Sequence, residues 1–216
     1  MIKKLISERK DVFWFFGFMA FGMLFYGAKL VIKDYHIVHL PIDDKIPFLP
    51  IFIIPYTIWF AYIPGMMILT FFKSKKAFLR QQYAFYLGVG VSCLIFLIYP
   101  TMIDFRPDAA GDGFLLWLTR IVYSGDVPPT NVFPSLHCYE ALSVHLTTFT
   151  VGPFKDKTLP RILSAVLVVL ICLATVFVKQ HSVIDVLPGC LMAVLSLITI
   201  DYFLRGNKNE SDNSTV

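Results

Sequence analysis

Lys179, His181 and Asp185 stand within one seven-residue stretch, flanked by the apolar runs Ile162–Val178 and Leu187–Ile200. An imidazole can serve as nucleophile or proton carrier near neutral pH. A carboxylate four residues further along a helix lies on the same face, where it can hold one tautomer and stabilise the cation. Charge inside a bilayer costs roughly 2.5–3.5 kcal/mol at its centre and less toward the interface, so a cluster of this kind implies a use. A second set of polar residues has matching chemistry: Arg106-Pro107, then Asn131 through Ser135-Leu136-His137. Pro134 suits the first turn of a helix, and Ser135 with the free N–H groups beside it makes an anion site. Ser182 and Asp185 have capping-box spacing, which places Ser182 at a helix cap and His181 just before it. The pairing of His181 with Asp185 then depends on loop geometry. Guanidinium, ammonium and helix N-termini together bind a phosphate dianion. Two histidines can supply its nucleophile and its proton donor.

These residues must be positioned by membrane helices. The chain has 216 residues, of which 56% are hydrophobic and 16% charged, against about 25% charged in soluble domains. About 20 apolar residues cross a bilayer, and six stretches are read as spans: Val12–Ile32, Pro50–Phe72, Tyr83–Ile103, Phe133–Thr150, Ile162–Val178 and Val183–Leu204. Val12–Ile32 is too long for a signal-peptide core and lacks an Ala-x-Ala cleavage site. Pro55 and Pro64 are expected to kink the second span. The fold expected is all-α, a polytopic six-helix bundle forming one domain over residues 1–206, with a disordered polar tail over 207–216. The four cysteines lie in apolar runs without CxxC spacing and read as buried packing residues.

Orientation follows from the basic residues. The N-terminus, the expected loops Lys73–Arg80 and Gly152–Arg161, and the C-terminal tail carry 13 of the 19 Lys and Arg. That side is expected to be cytoplasmic. The long loop Asp104–Val132 and the turn Lys179–Ser182 then face outward, with nearly all the polar chemistry.

Arg106-Pro107, Pro134-Ser135-Leu136-His137 and His181-x3-Asp185 resemble the three signatures of the type 2 phosphatidic acid phosphatase superfamily, over a core from about Tyr83 to Leu204. The resemblance implies that His181 is a nucleophile forming a phosphohistidine, oriented by Asp185. It implies that His137 protonates the leaving oxygen and then activates water. Arg106 and Ser135 would hold phosphoryl oxygens, with Asn131 shaping the loop. Two cations of the family pattern are absent, at Tyr99 and at Ala174-Thr175. Lys179 is the expected replacement, with Arg120 as a weaker one, although an ammonium cannot reproduce a bidentate fork.

Outside those motifs, Glu140 is a carboxylate at membrane depth and is expected to support the site. Asp43-Asp44 reads as a turn, His36 and His39 as surface, and Asp126 as the loop acid most suited to a role. The function expected is a metal-independent, cofactor-free membrane phosphatase in the cell membrane, with both termini cytoplasmic. Its partners are the bilayer and a lipid phosphate or pyrophosphate, such as undecaprenyl pyrophosphate or phosphatidylglycerophosphate; no nucleic acid is implied. The alternatives are a lipid phosphotransferase related to inositol-phosphosphingolipid synthases, and a non-catalytic lipid-binding or flippase-like protein.

Overall fold

A computed structural model describes Gly27 and residues 32–213, with side chains through Leu204. The expected span Val12–Ile32 lies almost wholly outside these residues. In chain order the elements are β1 (His36–Ile37), α1 (Pro41–Lys45), a 3-10 turn (Pro50–Phe52), α2 (Ile53–Lys73) and α3 (Lys75–Ile98). Then come β2 (Thr101–Met102), α4 (Phe114–Ser124), α5 (Leu136–Thr150), α6 (Thr158–Phe177) and α7 (Val183–Asn213). The protein is mostly helical. Among the described residues four helices are long and apolar enough to cross a membrane: Pro50–Lys73, Lys75–Ile98, Thr158–Phe177 and Val183–Leu204.

Several boundaries differ from expectation, each for a local reason. The loop Lys73–Arg80 is reduced to Ser74, whose hydroxyl caps α3 by accepting from the Ala77 N–H at 3.2 Å. The polar run from Lys75 to Gln82 is therefore helical, and Arg80 is buried rather than a loop cation. At its other end α3 stops at Ile98, because Tyr99 precedes Pro100 and leaves the helical region. In the fourth expected span Ser135 is the N-cap and Pro134 lies before it, so α5 has 15 residues, about 22 Å of helix against a hydrocarbon core of about 30 Å. At the C-terminus α7 continues through Asn213, into the segment expected to be a disordered tail.

The short α5 is the hub, packed against α2, α3, α6 and α7. Two close approaches set its position. The Tyr139 ring occupies the space above Gly88 of α3, and Gly189 lets the backbone of α7 meet the Ser135 carbonyl. Exposed Leu97, Leu163, Val169 and Leu191 cover the outer surfaces of α3, α6 and α7, as suits contact with hydrocarbon. Helix α4 packs Leu115, Leu118 and Val122 against Ile53, Tyr56, Ala174 and Val178, and leaves Phe114, Trp117 and Ile121 exposed.

At the end of the bundle where α3 finishes and α5 begins, a small parallel ladder ties the loops together. His36 pairs with Thr101 and Ile37 with Met102. Thr101 is fully buried, and its hydroxyl accepts from the N–H groups of Val132 and Phe133. The segment entering α5 is thereby held to the segment leaving α3.

Candidate active site

His181 is delivered by the end of α6. The N–H of Lys179 bonds the Val176 carbonyl at 3.1 Å and that of Gln180 the Thr175 carbonyl at 2.9 Å. These are the paired bonds of a Schellman closure, which requires a left-handed residue at Lys179 (φ 52°). A non-glycine residue there costs about 1–2 kcal/mol, so the lysine side chain must offset that cost. Its Nζ donates to the carbonyls of Asp43 at 2.5 Å and Ile46 at 2.6 Å. Burial pulls its pKa below the ordinary lysine value, opposed by the nearby Asp43 and Asp44 carboxylates. Lys179 thus fastens the α6–α7 turn to α1 and does not line the cavity. The residue expected to replace a family phosphate ligand thus has its ammonium on two carbonyls in this structure.

Asp43, read from the sequence as part of a turn, proves to be the second fastener. Its carboxylate accepts from the Ser182 hydroxyl at 2.6 Å and from the Val183 N–H at 3.0 Å, at the start of α7. Half of the expected capping box also forms, with the Ser182 N–H donating to Asp185 at 2.9 Å.

The His181 ring is held by two acceptors at Nδ1: the Val132 carbonyl at 2.9 Å and Asp185 at 3.3 Å. A carbonyl can only accept, so Nδ1 carries a proton, and in the neutral ring Nε2 is then the nitrogen with the lone pair. Val132 is the closer partner. Nε2 lies 3.4 Å from Nδ1 of His137, the second residue of α5. The His137 ring is packed beside Tyr56 and Trp59 of α2, with centroid separations of 4.7 and 4.4 Å.

Arg106 completes the polar wall. Its guanidinium donates to the Asp126 carbonyl and carboxylate, each at 2.8 Å, and to Gln180 at 2.5 Å, and lies over the Tyr123 ring. Tyr123 in turn donates to the Val178 carbonyl at 2.8 Å. Burial raises that phenol to about 12, with Arg106 opposing, so it remains a donor.

His137, His181 and Gln180 border a cavity of about 560 Å³ lined also by Asp126, Thr130, Asn131, Glu140 and apolar side chains of α2 to α5, with Arg106 and Asp185 just outside the lining. Several buried polar atoms around it have no protein partner: Arg106 Nε, Gln180 Nε2, both amide atoms of Asn131, Glu140 Oε2 and Asp185 Oδ1. Unpaired buried polar groups are rare in folded proteins, and a cluster of them marks a place for a ligand.

The structure therefore brings His137, His181, Asp185, Arg106, Asn131 and Glu140 together. Ser135 sits behind the cavity, fully buried, with its hydroxyl accepting from the Cys138 N–H at 3.5 Å. Arg120 is tied to the carbonyls of Ala109 and Gly111. His39, read as surface, links Asp44 at 2.9 Å to Asp104 at 2.8 Å. Gln180 and the Val132 carbonyl were not foreseeable from residue type; the first signal for Gln180 is its position beside His181. Among the described residues no three His, Cys, Asp or Glu side chains gather as metal ligands.

A family profile described as the PAP2 superfamily matches residues 56–208. The match begins well before Tyr83 and so includes Tyr56 and Trp59, the residues against which His137 packs. No curated protein and no solved structure matches the chain.

Proposed function

Because the chain belongs to the PAP2 superfamily, whose members act as phosphatases or phosphotransferases on phosphate esters, we propose that it is an integral membrane phosphatase that hydrolyses a lipid phosphate or pyrophosphate through a phosphohistidine. The carrying observation is the tautomer of His181. Nδ1–H is bonded to Val132 and Asp185, which leaves Nε2 as a lone pair directed at His137 within a cavity.

The substrate phosphoryl group enters between the two imidazoles and replaces their contact. The Nε2 lone pair of His181 attacks phosphorus while the bond from phosphorus to the leaving oxygen breaks, and His137 gives that oxygen a proton. Asp185 and the Val132 carbonyl stabilise the positive charge that develops on the His181 ring. Water then attacks the phosphohistidine, His137 takes its proton, the nitrogen–phosphorus bond breaks and phosphate leaves. The unpaired donors Arg106 Nε, Gln180 Nε2 and Asn131 Nδ2 supply hydrogen bonds for the phosphoryl oxygens, in place of the two cations absent from the family pattern.

The lipid part of the reading rests on the cavity wall. Phe60 of α2 and Ile121 of α4 line the cavity and are also exposed on the outer surface, so an acyl or prenyl chain can lie between these helices. Counting α5 with the four long helices gives five crossings among the described residues, to which the sequence reading adds Val12–Ile32 as an expected sixth. The distribution of basic residues then puts the site on the extracytoplasmic side of the cell membrane.

The test is a phosphate-release screen of purified protein in detergent over a panel of lipid phosphates. Wild type is expected to release phosphate and His181→Ala to release none while remaining folded. Turnover by His181→Ala at the wild-type rate overturns the nucleophile assignment. Formation of a new phospholipid in place of free phosphate assigns phosphotransfer to an alcohol instead of hydrolysis.

A further inference from the structure

Glu140 lies one helical turn below His137 on α5, and its side chain reaches into the same cavity. It is 93% buried, being 7% exposed. Its Oε2 has no partner. The cavity wall is largely hydrocarbon and aromatic, with Trp59, Phe60, Phe85, Val89 and Leu136, and the Trp59 indole N–H is likewise without a partner. Of the two α2 hydroxyls on the cavity wall, that of Thr57 is turned back to the carbonyls of Ile53 and Ile54, and Tyr56 carries the other. None of the steps assigned to His137, His181 and Asp185 uses this carboxyl group.

A buried acceptor without a donor costs about 1–3 kcal/mol, and a ligand that brings a donor recovers that loss. Residues three apart on a helix have their Cβ atoms about 5–6 Å apart. A donor meeting Glu140 therefore belongs to a carbon one or two bonds beyond the carbon that bears the reacting phosphate. A polyprenyl phosphate has only hydrocarbon at that place and would seal the carboxyl group in apolar surroundings. A glycerol phosphate with a free neighbouring hydroxyl fills it.

We infer that Glu140 is a specificity residue that accepts a hydrogen bond from a hydroxyl on the carbon next to the phosphorylated carbon, so that the substrate is a hydroxylated glycerophosphate-type lipid rather than a polyprenyl phosphate. This rests on the phosphatase reading above and narrows its substrate class.

The experiment compares phosphate release from 1-acyl-2-hydroxy-glycerol 3-phosphate, from its 2-deoxy analogue and from farnesyl phosphate, by wild type, Glu140→Leu and Glu140→Gln in the same detergent. Wild type is expected to prefer the hydroxylated substrate by about 10- to 100-fold in kcat/KM, the range set by one buried hydrogen bond. Glu140→Leu is expected to abolish that preference while holding or raising the rate on the deoxy and farnesyl substrates. Glu140→Gln keeps an accepting oxygen and retains part of the preference. A merely structural role moves all three substrates together, so an equal loss on all three overturns the inference, as does a wild type that treats the three alike. Both of those results leave the phosphatase reading standing. Absence of phosphate release from every lipid phosphate overturns both.

Discussion

Two polar clusters occupy opposite ends of the same helices, and they are built to opposite rules. At the end where α3 begins and α5 and α7 approach their finish, Arg80 makes a bidentate pair with Asp201, both bonds 2.7 Å, and also donates to Thr147 at 3.1 Å and Thr150 at 3.3 Å. Next to it, the Gln81 amide accepts from Thr70 at 2.6 Å and donates to Thr148 at 3.1 Å. Nearly every strong donor there has met an acceptor, the buried Gln82 amide being the exception. About 15 Å away along α5, the cluster around His181 holds its imidazole rings firmly yet leaves buried donors and acceptors open on Trp59, Arg106, Thr130, Asn131, Glu140, Gln180 and Asp185. The closed cluster is a joint between helices. The open one is the proposed binding site, its missing partners being those a phosphoryl group and its leaving alcohol can provide.

Breaking the open cluster should cost activity and spare the fold. Replacing His137 with Ala removes the proton donor, and kcat/KM is expected to fall about 10²- to 10⁴-fold, with the thermal unfolding midpoint little changed. Breaking the closed cluster should do the reverse. Arg80→Ala strips a partly buried carboxylate of its partner; a fully buried pair would lose about 3–5 kcal/mol, and the 38% exposure of Asp201 reduces the loss to about 2–3 kcal/mol. Denaturant unfolding measures it, and activity per folded molecule is expected to persist. If Arg80→Ala silences a fully folded protein, the division between the two clusters fails.

Lys179 sharpens the boundary of the open cluster. Lys179→Met releases the carbonyls of Asp43 and Ile46 and is expected to lower stability by about 1–3 kcal/mol, with inhibition by inorganic phosphate unchanged. A weakened phosphate inhibition at unchanged stability would return Lys179 to the phosphate site.

The smallest effect concerns pH. The hydrogen bond to Asp44 raises the His39 pKa above 6.5, with burial opposing and Asp104 adding. A folded pKa above the unfolded one means that the tie is fully present below 6.5 and is lost as pH climbs through the raised folded value. Amide exchange over residues 40–49, corrected for intrinsic rates, is expected to speed up across that window. Exchange that is flat with pH would show that the His39 tie is not part of the fastening.

The candidate site residues were legible because polar groups stand out in an apolar chain: His137, His181, Asp185 and Arg106 are few, ordered and grouped near helix ends. What holds them was not. The closest partner of His181 is the Val132 carbonyl, and a backbone atom has no residue type to read. Asp43 looks like half of an acidic turn, yet it is the buried acceptor for Ser182 and Val183 from more than a hundred residues away. Residue type does not reveal that Lys179 takes a left-handed backbone and donates to the carbonyls of Asp43 and Ile46. Hydropathy likewise delayed α3 to Tyr83, since it cannot tell that Arg80 is met by Asp201, Thr147 and Thr150, and Gln81 by Thr70 and Thr148, inside the bundle.

The most direct measurement is a rapid quench of enzyme mixed with a lipid carrying radiolabelled phosphate, followed by mapping of the labelled peptide. The account expects an alkali-stable, acid-labile phosphoryl label on His181 that builds up further in the His137→Ala protein and is absent from His181→Ala. Turnover of the same lipid with no label on His181, or a label that survives in His181→Ala, would contradict it.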